Sequence, residues 1–325
     1  MTAMARRAVS VIRARLSIRD LAIIGVLIAL FVTLSIASPA FATQRNLLNI
    51  LDQNAAIGVM AVGATVVVIA GGLDLSIGAI YGLAGVLAAD TANEFGAPAG
   101  FLVGVLVGAG VGACNGGLVV GLGINSLLAT LGSGLIIGGL AVVSTGGFQI
   151  SVLEPDFAVL GQNEFLGASY AAWIFGLVAL ACGYMLQRTR LGRHIYAIGG
   201  NIEAARLSGV RVGLVVIVVF VVGGLTAGLA GTVGASRVSL GAADAGTGLL
   251  FPALAAVFVG GSSIYGGEGA IWRTVVGLYI IALMNNGFNL LNLSPLYQPI
   301  IQGTIILAAV GFDAWSRRGA RRVSM

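Results

Sequence analysis

Of the chain's 325 residues 58% are hydrophobic and 9% charged, with a formal charge of +5, and a mean hydropathy of +1.02 leaves too little polar surface to cover soluble domains. The seventeen basic residues are all arginine, which excludes a Walker A loop and a Schiff-base lysine, so the chain has no P-loop of its own for hydrolysing ATP. His194, Cys114 and Cys182 are its only histidine and cysteines and supply no ligand set for zinc, an iron–sulfur cluster or bis-histidine haem.

A spanning helix needs roughly 20 mostly apolar residues. About ten segments qualify: 20–38, 53–71, 74–90, 98–121, 125–145, 169–187, 213–234, 251–265, 271–291 and 298–315, the third and eighth being the weakest. The fold class is therefore an all-α integral membrane protein. It divides into a basic amino terminus (1–19), a transmembrane domain (20–315) with a basic loop at 188–212, and a basic tail (316–325).

Arg6, Arg7, Arg13, Arg15 and Arg19 precede the first span, and Arg188, Arg190, Arg193, Arg206 and Arg211 follow the sixth. Arg317, Arg318, Arg321 and Arg322 follow the last. An even number of spans puts all three clusters on one side, which the positive-inside rule makes cytoplasmic. Such clustering beside apolar segments is a topology signal and not a nucleic-acid surface. The loops assigned outward (91–97, 146–168, 235–250, 292–297) carry Glu94, Glu154, Asp156, Glu164 and Asp244. Arg237 and Arg45 are the outward exceptions. The first segment, with Ala40-Phe41-Ala42 after it, imitates a secretory signal, but its apolar run exceeds the ~7–15 residues of such signals. It reads as a retained span.

In chain order, the first polar group is Gln53 and Asn54. Next comes Ala70-Gly71-Gly72-Leu73-Asp74-Leu75-Ser76-Ile77-Gly78, where the glycine pair can break a helix and Asp74 and Ser76 can cap the next. Asp74 is either a cap or a substrate or gating residue. Gly100, Gly104, Gly108, Gly112 and Gly116 recur every fourth residue, a ridge on which another backbone can lie closely, either as a static packing seam or as the sliding surface of a gating helix; Gly224 and Gly228 invite the packing reading. Asn115, Asn125, Asn285, Asn286, Asn289, Asn292, Gln298 and Gln302 continue a series of uncharged amides. Each is helix glue or a hydrogen-bonding group for sugar hydroxyls, and as a set they favour a neutral hydroxylated solute over an ion. Within the apolar stretches only Asp74 is charged, which argues against an ion-coupled carrier. An intramembrane enzyme has no paired carboxylates to work with.

The loop from Arg188 to Gly209 has helix-forming composition at 201–208. Asn201 is placed as its N-cap, Glu203 lies in its first turn and Gly209 ends it. Two readings stand: a solvated loop of topogenic arginines, with His194 solvated or interfacial, or a docking helix for a cytoplasmic partner.

Glu203-Ala204-Ala205-x-x-x-Gly209 resembles the first half of the EAA motif of ATP-binding-cassette importers, without its downstream Ile-x-Leu-Pro portion. With TRLGRHIYAIGGNIEAARLSGVRV, AGGLDLSIGAI at 70–80, FVGGSSIYGGEGAI and NNGFNLLNL, the chain resembles the permease of ribose-type monosaccharide importers over about residues 45–315. Branched-chain amino-acid permeases are relatives, but GGLDLSIG is more similar to the sugar branch. The resemblance implies a multi-pass protein of the bacterial cytoplasmic membrane, two copies of which line the path for a pentose or hexose. It implies an ATPase subunit on the cytoplasmic face, holding the ATP and Mg, and an extracytoplasmic sugar-binding protein outside. This chain would bind no cofactor. Glu203, Ala204, Ala205, Arg206 and Gly209 would face the ATPase, and Asp74 and Ser76 would support a gate. Two echoes, Ala70-Gly71-Gly72 with Val259-Gly260-Gly261 and Asn115-Gly116 with Asn286-Gly287, raise the question of duplication; the second pair falls on opposite sides.

Overall fold

A computed structural model of the protein describes residues 18–323. Arg6, Arg7, Arg13 and Arg15 lie outside the described residues, as do the side chains of Arg19, Arg317, Arg318, Arg321 and Arg322. In chain order the helices are α1 Ile18–Ala37, α2 Gln44–Ile69, α3 Ile77–Phe95, α4 Ala97–Gly121, α5 Ser126–Thr145, α6 Val159–Gln162, α7 Tyr170–Arg188, α8 Arg190–Gly200, α9 Ile202–Leu207, α10 Val212–Val238, α11 Leu250–Val259, α12 Ile271–Leu290 and α13 Gln298–Val323. Among the described residues six helices, α1, α2, α4, α5, α7 and α10, are long and apolar enough to cross a membrane. Most expose large apolar side chains outward, such as Leu102 and Leu106 on α4 and Leu135 and Ile136 on α5; such a face suits lipid and not water.

Several boundaries move from the expected ones. The span expected at 251–265 is a ten-residue helix, α11, because Gly260 and Gly261 end it. The span expected from 74 starts at Ile77, since Leu73–Ser76 is tied elsewhere by its polar groups. The one expected from 53 starts at Gln44, where the Thr43 hydroxyl accepts from Asn46 N–H at 3.4 Å; the polar turns after it stay helical because that cap starts the helix early. The all-α expectation needs one amendment. Two-residue strands pair as β1 Ile150–Ser151 with β4 Leu240–Gly241, and as β2 Glu164–Phe165 with β3 Ala168–Ser169. They lie in the segments expected to be outward loops.

From Gly104 to Gly116 the glycine row of α4 is a packing seam against α10, while Gly100 lies against Ala88 and Ala92 of α3. A Cβ on Gly108 would collide with the Gly224 carbonyl and the Gly228 backbone, and one on Gly112 with the Phe220 carbonyl. Gly104 faces Thr232 and Gly116 faces Ile217, so the two helices run antiparallel with main chain against main chain. Only residues without a side chain permit this approach.

Contacts gather the loops into two groups at opposite ends of the bundle. At one end the Ile69 carbonyl accepts from Gly267 N–H at 2.9 Å, and Ser126 reaches Leu73. At the other, Arg237 donates to the Asp52 carbonyl at 3.1 Å and Asn93 donates to the Ser151 carbonyl. There Phe157, fully buried, stacks on Phe101 at 5.1 Å and its carbonyl accepts from the Ser236 hydroxyl. That aromatic plug pins the long 146–169 connection over α4 and α10.

Candidate functional site: the helix breaks and the segment beside them

The Ala70–Ser76 break is closed by its own chemistry. Gly71, at φ +85°, donates to the Val68 carbonyl and Gly72 to the Val67 carbonyl, a left-handed helix end that glycine adopts without strain. Asp74, 2% exposed, then accepts from the Ser76 N–H at 2.8 Å and from its hydroxyl at 2.5 Å through one oxygen, Oδ1. Asn115 of α4 donates to the same hydroxyl at 2.8 Å. Thr130 of α5 accepts from Leu75 N–H at 3.0 Å and donates to the Leu73 carbonyl, and Ser126 accepts from Leu73 N–H. The Ser76 hydroxyl thus makes no cap bond of its own. Among the described residues no donor reaches Asp74 Oδ2 or Asn115 Oδ1, both buried.

α11 ends in the same way. Gly261, at φ +82°, donates to the Phe258 carbonyl and Ser262 N–H to the Val257 carbonyl. The two helix ends share a hydrogen-bonding pattern, but one residue out of the register of the sequence echo: Gly261 stands where Gly71 does and Ser262 where Gly72 does. The Asn115 and Asn286 echo has no shared bonding, since Asn115 joins the break while Asn286 exchanges two amide bonds with Asn46, at 3.1 and 2.9 Å.

The loop expected at 188–212 holds two helices. Thr189 caps α8 by accepting from Gly192 N–H at 3.1 Å, and Gly192, Ile195 and Ile198 form its buried face. Arg193, Ala197 and Gly200 are exposed and His194 is half-buried. α9 follows with the expected ends: Asn201 accepts from Ala204 N–H at 3.0 Å, and Gly209, at φ +82°, donates to the Arg206 carbonyl. Ala205 is buried, whereas Glu203, Ala204, Arg206 and Gly209 are exposed, with Glu203 and Arg206 3.6 Å apart. Leu207 is 88% exposed and Ile202 46%. A short rigid helix at a bundle end thus offers two apolar side chains and an ion pair.

The amide series does not form one continuous seam. Gln302 donates to Asn285 at 3.3 Å, Asn54 to its own Ile50 carbonyl, and Asn125 caps α5, while Gln53 and Asn289 are exposed. Of the series only Asn115 reaches the break. Other polar residues escaped the sequence reading. Arg273 of α12 pairs with Asp20 of α1 at 2.7 Å, the carboxylate 2% exposed, so Asp74 is not the only charge within the expected spans. Asp52 accepts from the Ser169 N–H and hydroxyl at 3.1 and 2.7 Å. Thr65 and Thr274 hydroxyls meet at 2.7 Å between α2 and α12.

Residues 46–310 match the family described as branched-chain amino acid transport system / permease component. The chain belongs to that family of membrane permeases. Within it, this permease is 41% identical over 295 residues to the ribose import permease protein of Escherichia coli, covering 88% of this chain and 92% of that protein. It is 39% identical to the L-arabinose ABC transporter permease protein of Azospirillum brasilense, over 92% of this chain and 88% of that one. It is 36% identical to the D-allose transport system permease protein of Escherichia coli, over 90% and 89%. No solved structure gives a significant match to the permease.

Proposed function

We propose that the chain is the membrane-spanning subunit of an ATP-driven importer that passes a monosaccharide, pentose or hexose, across the bacterial cytoplasmic membrane. The observation that carries this reading is the exposed, doubly capped α9 beside a buried helix break, in a permease similar to ribose, arabinose and allose permeases. In this reading Ile202, Leu207, Glu203, Ala204, Arg206 and Gly209 meet a separate ATPase subunit, which binds the ATP and Mg. Ala205 anchors the helix from beneath. Asp74, Ser76 and Asn115 hold the break that moves with the gate.

Ten spans (α1 to α5, α7 and α10 to α13) put both termini and the α8–α9 segment in the cytoplasm. The segregation of the described loops into two groups supports that count, and an even count puts the three basic clusters on one side, as the positive-inside rule asks. The opposite end, where Phe148, Leu153 and Leu166 are each about four-fifths exposed beside Glu154 and Glu164, would receive the extracytoplasmic sugar-binding protein. A second copy of the chain would complete the path.

The test is purification of the full chain from its own membranes in mild detergent. A stoichiometric ATP-binding-cassette subunit should accompany it. Glu203→Lys places a second cation beside Arg206, and Gly209→Pro removes a donor and forbids φ +82°; each should release the ATPase while the chain stays inserted. Uptake driven by an ion gradient with no ATPase bound would instead make it a secondary carrier. The family description favours branched-chain amino acids as a second reading, and a binding screen on the partner binding protein separates the two.

A further inference from the structure

Next to α9 lies a joint made of main chain, with Ile69 and Gly266 buried, Gly199 and Gly267 half-buried and Gly71 and Gly200 exposed. A Cβ on Gly199 of α8 would collide with the Ile69 carbonyl at the end of α2 and with the Gly267 N–H. One on Gly266 would fall 2.7 Å from Gly71 Cα and 2.9 Å from the Gly199 carbonyl oxygen, and one on Gly267 2.9 Å from Gly200 Cα. Gly266 and Gly267 take φ +81° and +74°. Three chain segments therefore touch at glycine backbones: the end of α8, the end of α2, and the 260–270 turn after α11. Two hydrogen bonds fix the joint: Gly267 N–H to the Ile69 carbonyl at 2.9 Å, and the Tyr196 hydroxyl to the Gly269 carbonyl at 2.8 Å. Burial pushes the Tyr196 phenol up, against the nearby Arg273 charge, so the hydroxyl remains a donor at neutral pH.

Side-chain contacts absorb small displacements by changing rotamer, whereas backbones in contact have nothing to rearrange and pass the displacement on. The geometry points to Tyr196, Gly199 and Gly200 as the link that delivers movement of the α8–α9 segment to both glycine-ended breaks together, the one after α2 and the one after α11. Tyr196 is a positioning residue in this scheme. It holds the 260–270 turn to α8, while Gly199 holds α8 to α2. The inference rests on the importer reading, because it takes the displacement to begin at an ATPase docked on α9.

Tyr196→Phe tests it with minimal structural change, since only the hydroxyl is lost. The full chain would be purified with its ATPase and reconstituted in vesicles with the binding protein outside. Uptake, ATP hydrolysis and amide hydrogen exchange at 260–270 would be measured with and without nucleotide. The expected result is an intact complex with unchanged basal hydrolysis, sugar transported per ATP reduced at least about fivefold, and loss of the nucleotide-dependent exchange change at 260–270. Gly199→Ala should do the same more severely, and its failure to insert would leave the Tyr196→Phe result to decide. An ATPase that stays bound to Tyr196→Phe with unchanged transport per ATP overturns this inference alone. No ATPase on the unmodified chain overturns the importer reading and this inference with it.

Discussion

Asp74 holds the backbone and the hydroxyl of Ser76 through a single oxygen. Replacing it by alanine leaves the Ser76 N–H and hydroxyl without their acceptor in a buried place, a loss of roughly 1–3 kcal/mol. Asp74→Asn keeps an oxygen to accept from the Ser76 N–H and hydroxyl, so it should destabilise far less. Thermal unfolding of the two variants in detergent checks this; equal losses would mean that the negative charge itself is required. The local part of this cluster was legible, because Asp74 and Ser76 stand two residues apart next to a glycine pair. The contribution of Asn115 was not, since its partner comes from another helix. Asp20 and Arg273 escaped for the same reason: each sits at the edge of an apolar run, and pairing across the chain leaves no periodic trace. Asn286 is, from the sequence, either helix glue or a sugar contact, and nothing near it in the sequence points to Asn46.

On α4 the period of four in glycine was readable and its partner helix was not. The seam makes an element-scale prediction with a control built into the same helix. Gly108→Leu must displace the Gly224 and Gly228 backbones, whereas Gly110→Leu points into open space. The first should cost about 1–3 kcal/mol or more by overpacking and lower the yield of folded protein in size-exclusion chromatography; the second should leave it unchanged. Equal tolerance of both would mean that α4 and α10 are not in contact in the membrane. The ends of α9 were legible from Asn201 and Gly209 because caps are local. α8 was passed over as part of an arginine-rich loop, although its buried residues 192, 195 and 198 already carry helical spacing. The expected span at 251–265 runs past the end of α11 at Val259 because Ile264 and Tyr265 follow the glycine and serine pairs and keep the segment apolar on average.

For the molecule as a whole, orientation is the quantity to measure. With Cys114 and Cys182 replaced by serine, Leu207→Cys and Leu166→Cys place thiols at opposite ends of the bundle, at residues 88% and 81% exposed. A membrane-impermeant maleimide should label Leu166→Cys in intact cells and Leu207→Cys only in inverted vesicles. Labelling of both from the same side would refute the alternation of spans. That the chain carries many apolar spanning segments was legible because most are long and nearly free of charge; six of the described helices are long and apolar enough to cross a membrane. The joining of breaks, caps and turns at one end was not, because it is built from main-chain atoms that every residue shares. The α4–α10 seam also sets an order of events during synthesis. Gly108 enters the membrane well before Gly224 and Gly228 exist, and at roughly 5–20 residues per second it waits on the order of ten seconds for them. Throughout that interval the nascent chain shows a bare glycine ridge to lipid and to membrane proteases. A chain that stalls between α7 and α10 therefore leaves a half-built subunit with its closest-packed surface uncovered.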